Sequence, residues 1–121
     1  MKNIILDTNF IIELLKNKID LKDELLRICN FPFKISVLEK TKKELENIVK
    51  KQSGKSKDLA KLALIYIKNF DSIKAEENNV DNALITLSKE NIIATQDKEL
   101  KEKLNKPFIV IRQKKKLELI E

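Results

Sequence analysis

The sequence predicts an α/β fold, a three-layer α/β/α sandwich around a mainly parallel central sheet. Two observations carry this prediction. Short apolar runs alternate along the chain with longer segments whose apolar residues recur at helical spacing. The first run, residues 3–6, has no polar face, which is typical of a strand buried on both sides. Because parallel strands need long crossover connections, this alternation favours helices on both faces of one parallel sheet.

The first two thirds of the chain contain short apolar runs that predict strands and amphipathic segments that predict helices. The breaker Asn30-Phe31-Pro32 separates a helix from the second strand, and a small polar loop at residues 52–56 separates two longer helices. In order, the predicted elements are a strand at residues 3–6, helices at 10–15 and 21–28, a strand at 33–37, helices at 38–49 and 57–70, and a weak strand at 71–75.

The last third continues the alternation. Asn78 and Asn79 are good N-cap residues for a helix that begins at Val80, and Asp97 is placed to cap another. The predicted elements are a helix at residues 80–87, a strand at 92–95, a helix at 98–104, a strand at 108–111, and a last strand at 117–120 after the basic turn 112–116. With no internal repeat and no linker, residues 1–121 predict one domain.

The composition excludes several kinds of active site. The chain has no histidine, which excludes imidazole bases and histidine-bound zinc. It has one glycine, Gly54, which excludes a glycine-rich phosphate loop. The 19 Asp and Glu residues offer hard oxygen ligands, which suit Mg²⁺ or Mn²⁺.

Charge and cysteine content predict the cellular compartment of the protein and the kind of partner it binds. The net charge of +6 favours a polyanionic partner, although a Lys-, Ile- and Asn-rich codon bias explains it equally well. No apolar run approaches the roughly 20 residues of a membrane span, and the N-terminus lacks a signal-peptide pattern. The single cysteine, Cys29, cannot form an internal disulfide. We therefore expect a cytoplasmic protein with no membrane contact.

Acidic residues follow two of the predicted strands. Asp7 comes directly after the strand at 3–6, and Asp97 comes soon after the strand at 92–95. In open α/β sheets, ligands bind at the carboxyl ends of the strands. If these two strands are neighbours, both carboxylates project from the same edge. Each Asp also precedes a helix, so N-capping alone is an alternative explanation.

Two further acids are predicted to reach the same edge. Glu44 lies beside the apolar side of its helix, where Glu39 and Glu46 are competing candidates and solvation is the alternative. Asp81 lies in the first turn of its helix, where the helix dipole alone favours an acid. Crowded carboxylates repel one another unless a cation is present. A divalent-metal site is the explanation that accounts for all of these acids together.

Four stretches of the chain resemble the acidic motifs of PIN-domain nucleases, in the same order and over nearly the whole chain. They are Leu6-Asp7-Thr8-Asn9-Phe10, Lys43-Glu44-Leu45, Val80-Asp81-Asn82-Ala83-Leu84-Ile85 and Ala94-Thr95-Gln96-Asp97-Lys98-Glu99-Leu100. The ending, Ile111-Arg112-Gln113-Lys114-Lys115-Lys116-Leu117, is similar to an archaeal branch related to the ribosomal-RNA processing nucleases. VapC toxins share the same catalytic motifs.

The resemblance implies a metal-dependent endoribonuclease that leaves 5′-phosphate and 3′-hydroxyl ends. One ion would generate hydroxide from water, and a second would stabilise the leaving oxygen. The implied catalytic residues and ligands of Mg²⁺ or Mn²⁺ are Asp7, Glu44, Asp81 and Asp97. Thr8, Asn9 and Thr95 would orient the metal ligands or the water through hydrogen bonds, without binding the metal themselves. Asn82 stands where a second Asp is common in the family, which leaves the number of metal ions open.

The basic turn is the predicted RNA contact, because it carries five residues without an acid. Its cationic residues are Arg112, Lys114, Lys115 and Lys116. Many lysines also surround Glu44 and Gly54, where a solvated helix face is an equally good explanation. They are Lys40, Lys42, Lys43, Lys50, Lys51, Lys55, Lys57 and Lys61.

Several functions stay open at this point. The leading one is a ribonuclease of ribosomal-RNA processing. The alternatives are a VapC-type toxin with a small antitoxin protein as partner, and a PIN-like RNA-binding module with weak catalysis. A phosphoryl-accepting receiver domain also gathers acids at strand ends, but it usually has adjacent acids where Asp7 stands alone. Homodimers are common in the PIN family.

Overall fold

Six strands form one sheet in the computed structural model, which describes residues 1–121. They are β1 (Lys2–Leu6), β2 (Phe33–Leu38), β3 (Asp71–Ile73), β4 (Ile92–Ala94), β5 (Phe108–Arg112) and β6 (Lys116–Ile120). Their order across the sheet is β3-β2-β1-β4-β5-β6. All neighbours are parallel except β5 and β6, which form an antiparallel hairpin.

Six α-helices connect and cover these strands. They are α1 (Thr8–Lys16), α2 (Leu21–Ile28), α3 (Glu39–Lys51), α4 (Gly54–Tyr66), α5 (Val80–Leu87) and α6 (Lys98–Lys103), and a short 3₁₀ turn at Ile67–Asn69 follows α4. The predicted α/β fold with a mainly parallel central sheet is confirmed. No helix has the length and apolarity needed to cross a membrane.

The two faces of the sheet bury separate apolar clusters, because successive side chains of a strand point to opposite faces. Ile4 and Leu6 of β1 pack on one face with residues of α1, α2, α3 and α4. Ile5 packs on the other face with residues of α5 and α6. All three side chains are fully buried, as the apolar run without a polar face predicted. The helices therefore form two layers around the sheet.

The connection between α3 and α4 is shorter than predicted. Gly54 begins α4 with a φ of +65°, a left-handed conformation that glycine adopts without a steric penalty. Lys55 and Ser56, which the sequence placed in a loop, belong to the first turn of the helix. The prediction was wrong there because small polar residues favour loops locally. Burial of Ala60 and Ala63 outweighs that weak preference.

The strand order places the residues that follow β1 and β4 at the same edge of the sheet. Leu6 is in register with both Val37 of β2 and Ala94 of β4. The first five strands run in the same direction, so their carboxyl ends meet at one edge of the sheet. Asp7 follows the central strand at this edge, and the loop at residues 95–97 follows its neighbour β4.

Candidate active site

Asp7 lies at the middle of the carboxyl edge and is only 6% exposed. Its backbone N–H donates to the carbonyl oxygen of Ala94 at 2.9 Å, which continues the ladder between β1 and β4. Its Oδ1 accepts from the backbone N–H of Thr8 at 2.8 Å, and its Oδ2 accepts from the Thr95 hydroxyl at 2.7 Å. The Asp7 carboxylate is thus held by the strand, by the start of α1 and by the loop after β4.

Thr95 links the two acids that follow neighbouring strands. Its side chain is fully buried. The hydroxyl donates to Asp7 and accepts from the backbone N–H of Asp97 at 3.1 Å. Asp97 in turn caps α6, since its Oδ1 accepts from the Leu100 N–H at 3.1 Å. Capping by Asp7 and Asp97 is therefore present in the structure, and both residues also bond to Thr95 at the same edge of the sheet.

Glu44 approaches the same edge from α3. Its side chain is exposed, and its Oε1 accepts from the Thr8 hydroxyl at 2.9 Å. Thr8 also lies 3.3 Å, oxygen to oxygen, from the buried hydroxyl of Thr41. Of the three candidate glutamates on this helix, Glu44 is the one hydrogen-bonded next to Asp7. Glu46 instead lines a separate groove.

Asp81 is exposed in the first turn of α5. The N-cap of this helix is Asn79, whose Oδ1 accepts from the Asn82 N–H at 3.2 Å. Asp81 and Asn82 line a small cavity of about 150 Å³ between α5 and α6, and Glu99 lines it too. Glu99 was not singled out from the sequence. Its position two residues after Asp97 was the signal that could have found it.

Burial raises the pKa of Asp7 from 3.8 to about 6, because desolvation disfavours the charged carboxylate. The hydrogen bonds from Thr95 and Thr8 oppose this rise, and the negative charges of Glu44 and Asp81 add to it. The ion pairs of the structure, Arg27 with Glu24 and Arg112 with Glu118, lie elsewhere. The acids at this edge therefore carry negative charge that no ion pair compensates.

This set of donors fits a hard divalent cation. No three of the carboxylates approach closely enough to enclose an ion by themselves. Mg²⁺, however, usually keeps several waters and takes only one or two protein carboxylates. Asp7 is a buried carboxylate with a raised pKa on which two further acids act, and such a cation stabilises its charged form.

Asn9 and Gln96 hold the loop at residues 95–97 from its other side. The Asn9 side-chain oxygen accepts from the Gln96 N–H at 3.3 Å and lies 3.5 Å from the Thr95 hydroxyl oxygen. The Gln96 carboxamide bonds to both backbone groups of Ile111 in β5. The sequence did not single out Gln96, because nothing local indicates which strand its side chain reaches.

The basic turn joins β5 to β6 and lies at the same sheet edge, because β5 is parallel to β4. Lys114, Lys115 and Lys116 are exposed. Arg112 differs from them, since its Nε donates to Glu118 at 2.8 Å and its charge is partly compensated. Three lysines at this turn are thus free to meet an anion.

An open, mostly parallel α/β sheet with acids at its carboxyl edge is the architecture of an α/β protein that binds its ligand at the ends of the strands. A family model described as PIN like domain matches residues 4–114. The chain belongs to the PIN-like domain family.

Two known proteins are similar over nearly the whole chain. Ribonuclease VapC4 of Methanocaldococcus jannaschii is 43% identical over 127 residues, with 98% of this chain and 97% of that protein covered. The structure of the PIN domain endonuclease Utp24 matches with a TM-score of 0.77 and 22% identity, covering 97% of this chain and 90% of that one. At this identity, the likeness to Utp24 shows the fold alone.

Proposed function

We propose that the protein is a metal-dependent endoribonuclease whose catalytic residues are Asp7, Glu44, Asp81 and Asp97. The observation that carries the proposal is the state of Asp7, a buried carboxylate with a raised pKa beside two uncompensated acids. Helix capping alone does not explain why the charges of Glu44 and Asp81 act on it. Membership of the PIN-like family and the likeness to a protein named a ribonuclease support the same function.

Asp7, Glu44, Asp81 and Asp97 would hold Mg²⁺ or Mn²⁺ at the edge of the sheet. The chemistry supplied by the bound ion is activation of water and stabilisation of the charge on the scissile phosphate. The Thr95 hydroxyl orients the Asp7 carboxylate, and Thr8 orients Glu44. Asn9 holds the backbone of the loop that presents Thr95 and Asp97. Asn82 lies beside Asp81 and offers an amide where a carboxylate is common in the family.

Cleavage of RNA is expected only with Mg²⁺ or Mn²⁺ and is expected to stop in EDTA. Without the cation, the acids can neither activate water nor approach a phosphate without charge repulsion. The measurement is cleavage of a labelled structured RNA by purified protein, with the products checked for 5′-phosphate ends. Cleavage that persists in EDTA, after contaminating nuclease has been excluded with an inactive variant, would contradict a metal-dependent mechanism.

RNA is proposed to bind along the basic turn. Lys114, Lys115 and Lys116 are exposed at the same edge as the acids, and cations placed so attract a polyanionic backbone. If about four cations contact a single strand, log affinity falls with log salt at a slope of roughly −3. Changing Lys114 and Lys115 together to Ala is expected to make this slope shallower by about 1.4.

The matched control for the salt experiment removes two lysines from the opposite edge of the sheet. Lys2 and Lys34 are exposed at the amino-terminal ends of β1 and β2. The double change of these two residues to Ala lowers the net charge equally and should leave the slope unchanged. Equal effects of the two double variants would mean that net charge, rather than the basic turn, governs RNA binding.

Two cellular roles are compatible with this activity. One is processing of ribosomal RNA. The other is that of a VapC-type toxin held inactive by a small antitoxin protein, and the 43% identity to a protein named VapC4 favours it. A gene for a small protein directly upstream, whose product blocks cleavage when the two are mixed, would select the toxin role. Size-exclusion chromatography with light scattering tests whether the protein forms a homodimer, as is common in the PIN family.

A further inference from the structure

Gln96 extends the ladder between β4 and β5 with its side chain. The Thr95 N–H donates to the Ile109 carbonyl oxygen at 3.1 Å, as in a regular parallel ladder. On the next rung, the Ile111 N–H donates to Gln96 Oε1 at 2.6 Å, and Gln96 Nε2 donates to the Ile111 carbonyl oxygen at 3.4 Å. The loop that carries Thr95 and Asp97 is thereby tied to the strand that leads into the basic turn.

The same rung of the hairpin is held from the other side. Ile111 is in register with Leu117 of β6. The Leu117 N–H donates to Glu24 at 2.8 Å, and its carbonyl oxygen accepts from Arg27 at 2.6 Å. The base of the hairpin therefore lies between the Gln96 carboxamide and a Glu24–Arg27 ion pair of α2. At this point, the backbone groups that β5 and β6 turn away from each other all have hydrogen-bond partners. The base of the hairpin is therefore held on both sides.

The tip of the hairpin has a defined and costly backbone conformation. Gln113 and Lys114 have φ values of 54° and 57°, which residues with a Cβ adopt only at a steric cost. The Lys115 N–H closes the turn on the Arg112 carbonyl oxygen at 3.1 Å. A non-glycine turn of this kind persists only where the surrounding structure specifies it. The exposed Lys114 and Lys115 therefore extend from a rigid base.

We infer that Gln96 is a positioning residue that sets the basic turn in register with the acidic edge, so that RNA held on Lys114 and Lys115 presents a phosphodiester bond to the carboxylates. The inference rests on the proposed function and assigns no catalytic contact to Gln96. Gln96 acts through two connections, one of its side chain and one of its backbone. Its amide fixes Ile111 at the hairpin base, and its backbone N–H, bonded to Asn9, fixes the loop with Thr95 and Asp97.

The test compares Gln96→Met, which keeps the length of the side chain and removes its hydrogen bonds, with Gln52→Met. Gln52 is an exposed glutamine at the end of α3, far along the chain from the hairpin. In Gln96→Met, kcat is expected to fall about 10- to 100-fold, as for other residues that orient a site from behind. KM is expected to change less than kcat, because Lys114 and Lys115 remain. The control should match the wild type.

A double-mutant cycle separates positioning from a structural role. In a background with Lys114→Ala and Lys115→Ala, the hairpin no longer positions the RNA. Gln96→Met should therefore have a much smaller effect on kcat in that background than in the wild type. A full effect in that background would show that Gln96 acts on the acidic loop alone and would overturn the inference. A lower melting temperature of Gln96→Met with unchanged kcat and KM would also overturn the inference, because that is the result expected if Gln96 only stabilises the fold.

A readout without cleavage distinguishes failure of the inference from failure of the proposed function. In EDTA, a single-stranded RNA oligonucleotide is expected to shift the amide NMR signals of the basic turn and also those of Thr95 and Asp97. In Gln96→Met, adding the RNA should still shift the amide signals of the basic turn, but the amide signals of Thr95 and Asp97 should no longer shift. Equal shifts in both proteins, or no shift at the turn, would overturn the inference. If RNA shifts the signals of the basic turn, Thr95 and Asp97 in the wild type, but the wild type does not cleave RNA with Mg²⁺ or Mn²⁺, the proposed function alone is contradicted.

Discussion

Changing Asp7 to Asn is expected to lower kcat for RNA cleavage by about 100- to 1,000-fold, comparable to losing a group that stabilises charge in the transition state. Asp7 is central at the carboxyl edge, and its two oxygens are oriented by Thr8 and Thr95. Asn keeps an oxygen that can accept from the Thr8 N–H, so α1 keeps its cap. What is lost is the negative charge that would hold the cation. Initial rates with saturating Mn²⁺ measure the change.

The matched control is Glu46→Gln, which removes one charge from α3 on a surface that does not meet Thr8. It should leave cleavage within about twofold of the wild type, since distant exposed charges are screened by salt. Activity of Asp7→Asn within about twofold of the wild type, as expected for Glu46→Gln, would remove Asp7 from the catalytic residues. A parallel loss in both variants would point to the overall charge of α3 and α1 instead.

The same Asp7→Asn variant is expected to be more stable than the wild type in EDTA at neutral pH. Desolvation, with further contributions from Glu44 and Asp81, raises the pKa of Asp7 from 3.8 to about 6 in the folded protein. A rise of this size corresponds to a cost of roughly 3 kcal/mol for the ionised native state. For a chain of this size, removing the charge should raise the melting temperature by up to about 10 °C.

The sign of the pH dependence follows from the direction of the shift. The folded protein binds the Asp7 proton more tightly than the unfolded chain, so the penalty is full above pH 6. It shrinks as pH falls from about 6 to 3.8, and below 3.8 both states are protonated and the penalty is gone. The stability difference between Asp7→Asn and the wild type in EDTA should therefore decrease over this interval.

Mn²⁺ should reverse the order of the two proteins. A cation that binds only the folded wild type adds about 4.1 kcal/mol at 1,000 times its dissociation constant, which exceeds the roughly 3 kcal/mol cost of the Asp7 charge, and the variant loses this gain. Thermal melts of both proteins at pH 5 and pH 8, in EDTA and in Mn²⁺, complete the measurement. If Asp7→Asn is no more stable than the wild type in EDTA, and the difference between the two proteins is the same in Mn²⁺, Asp7 acts only as a helix cap and the proposed metal site loses its electrostatic basis.

Some of the structural features behind these two predictions could be read from the sequence, and others could not. The strand at residues 3–6 and the capping positions of Asp7, Asn79 and Asp97 could be predicted from neighbouring residues. The boundaries of α4 could not, because packing of Ala60 and Ala63 outweighs the loop preference of the residues before them. Glu44 could be named only beside Glu39 and Glu46, since the period of the helix does not tell which turn faces the central strand.

By itself, the sequence determined the local structure and the chemical inventory of the protein. Apolar periodicity placed the strands and helices, and the absence of histidine left carboxylates as the available metal ligands. The tertiary structure decided which of these groups meet. Thr95 reaches Asp7 across 88 positions of the chain, and Thr8 reaches Glu44 across 36. Gln96 bonds to Ile111 only because β4 lies beside β5. Such contacts depend on the order of strands in the sheet, which is set by packing between distant segments, and no local pattern of residues records it.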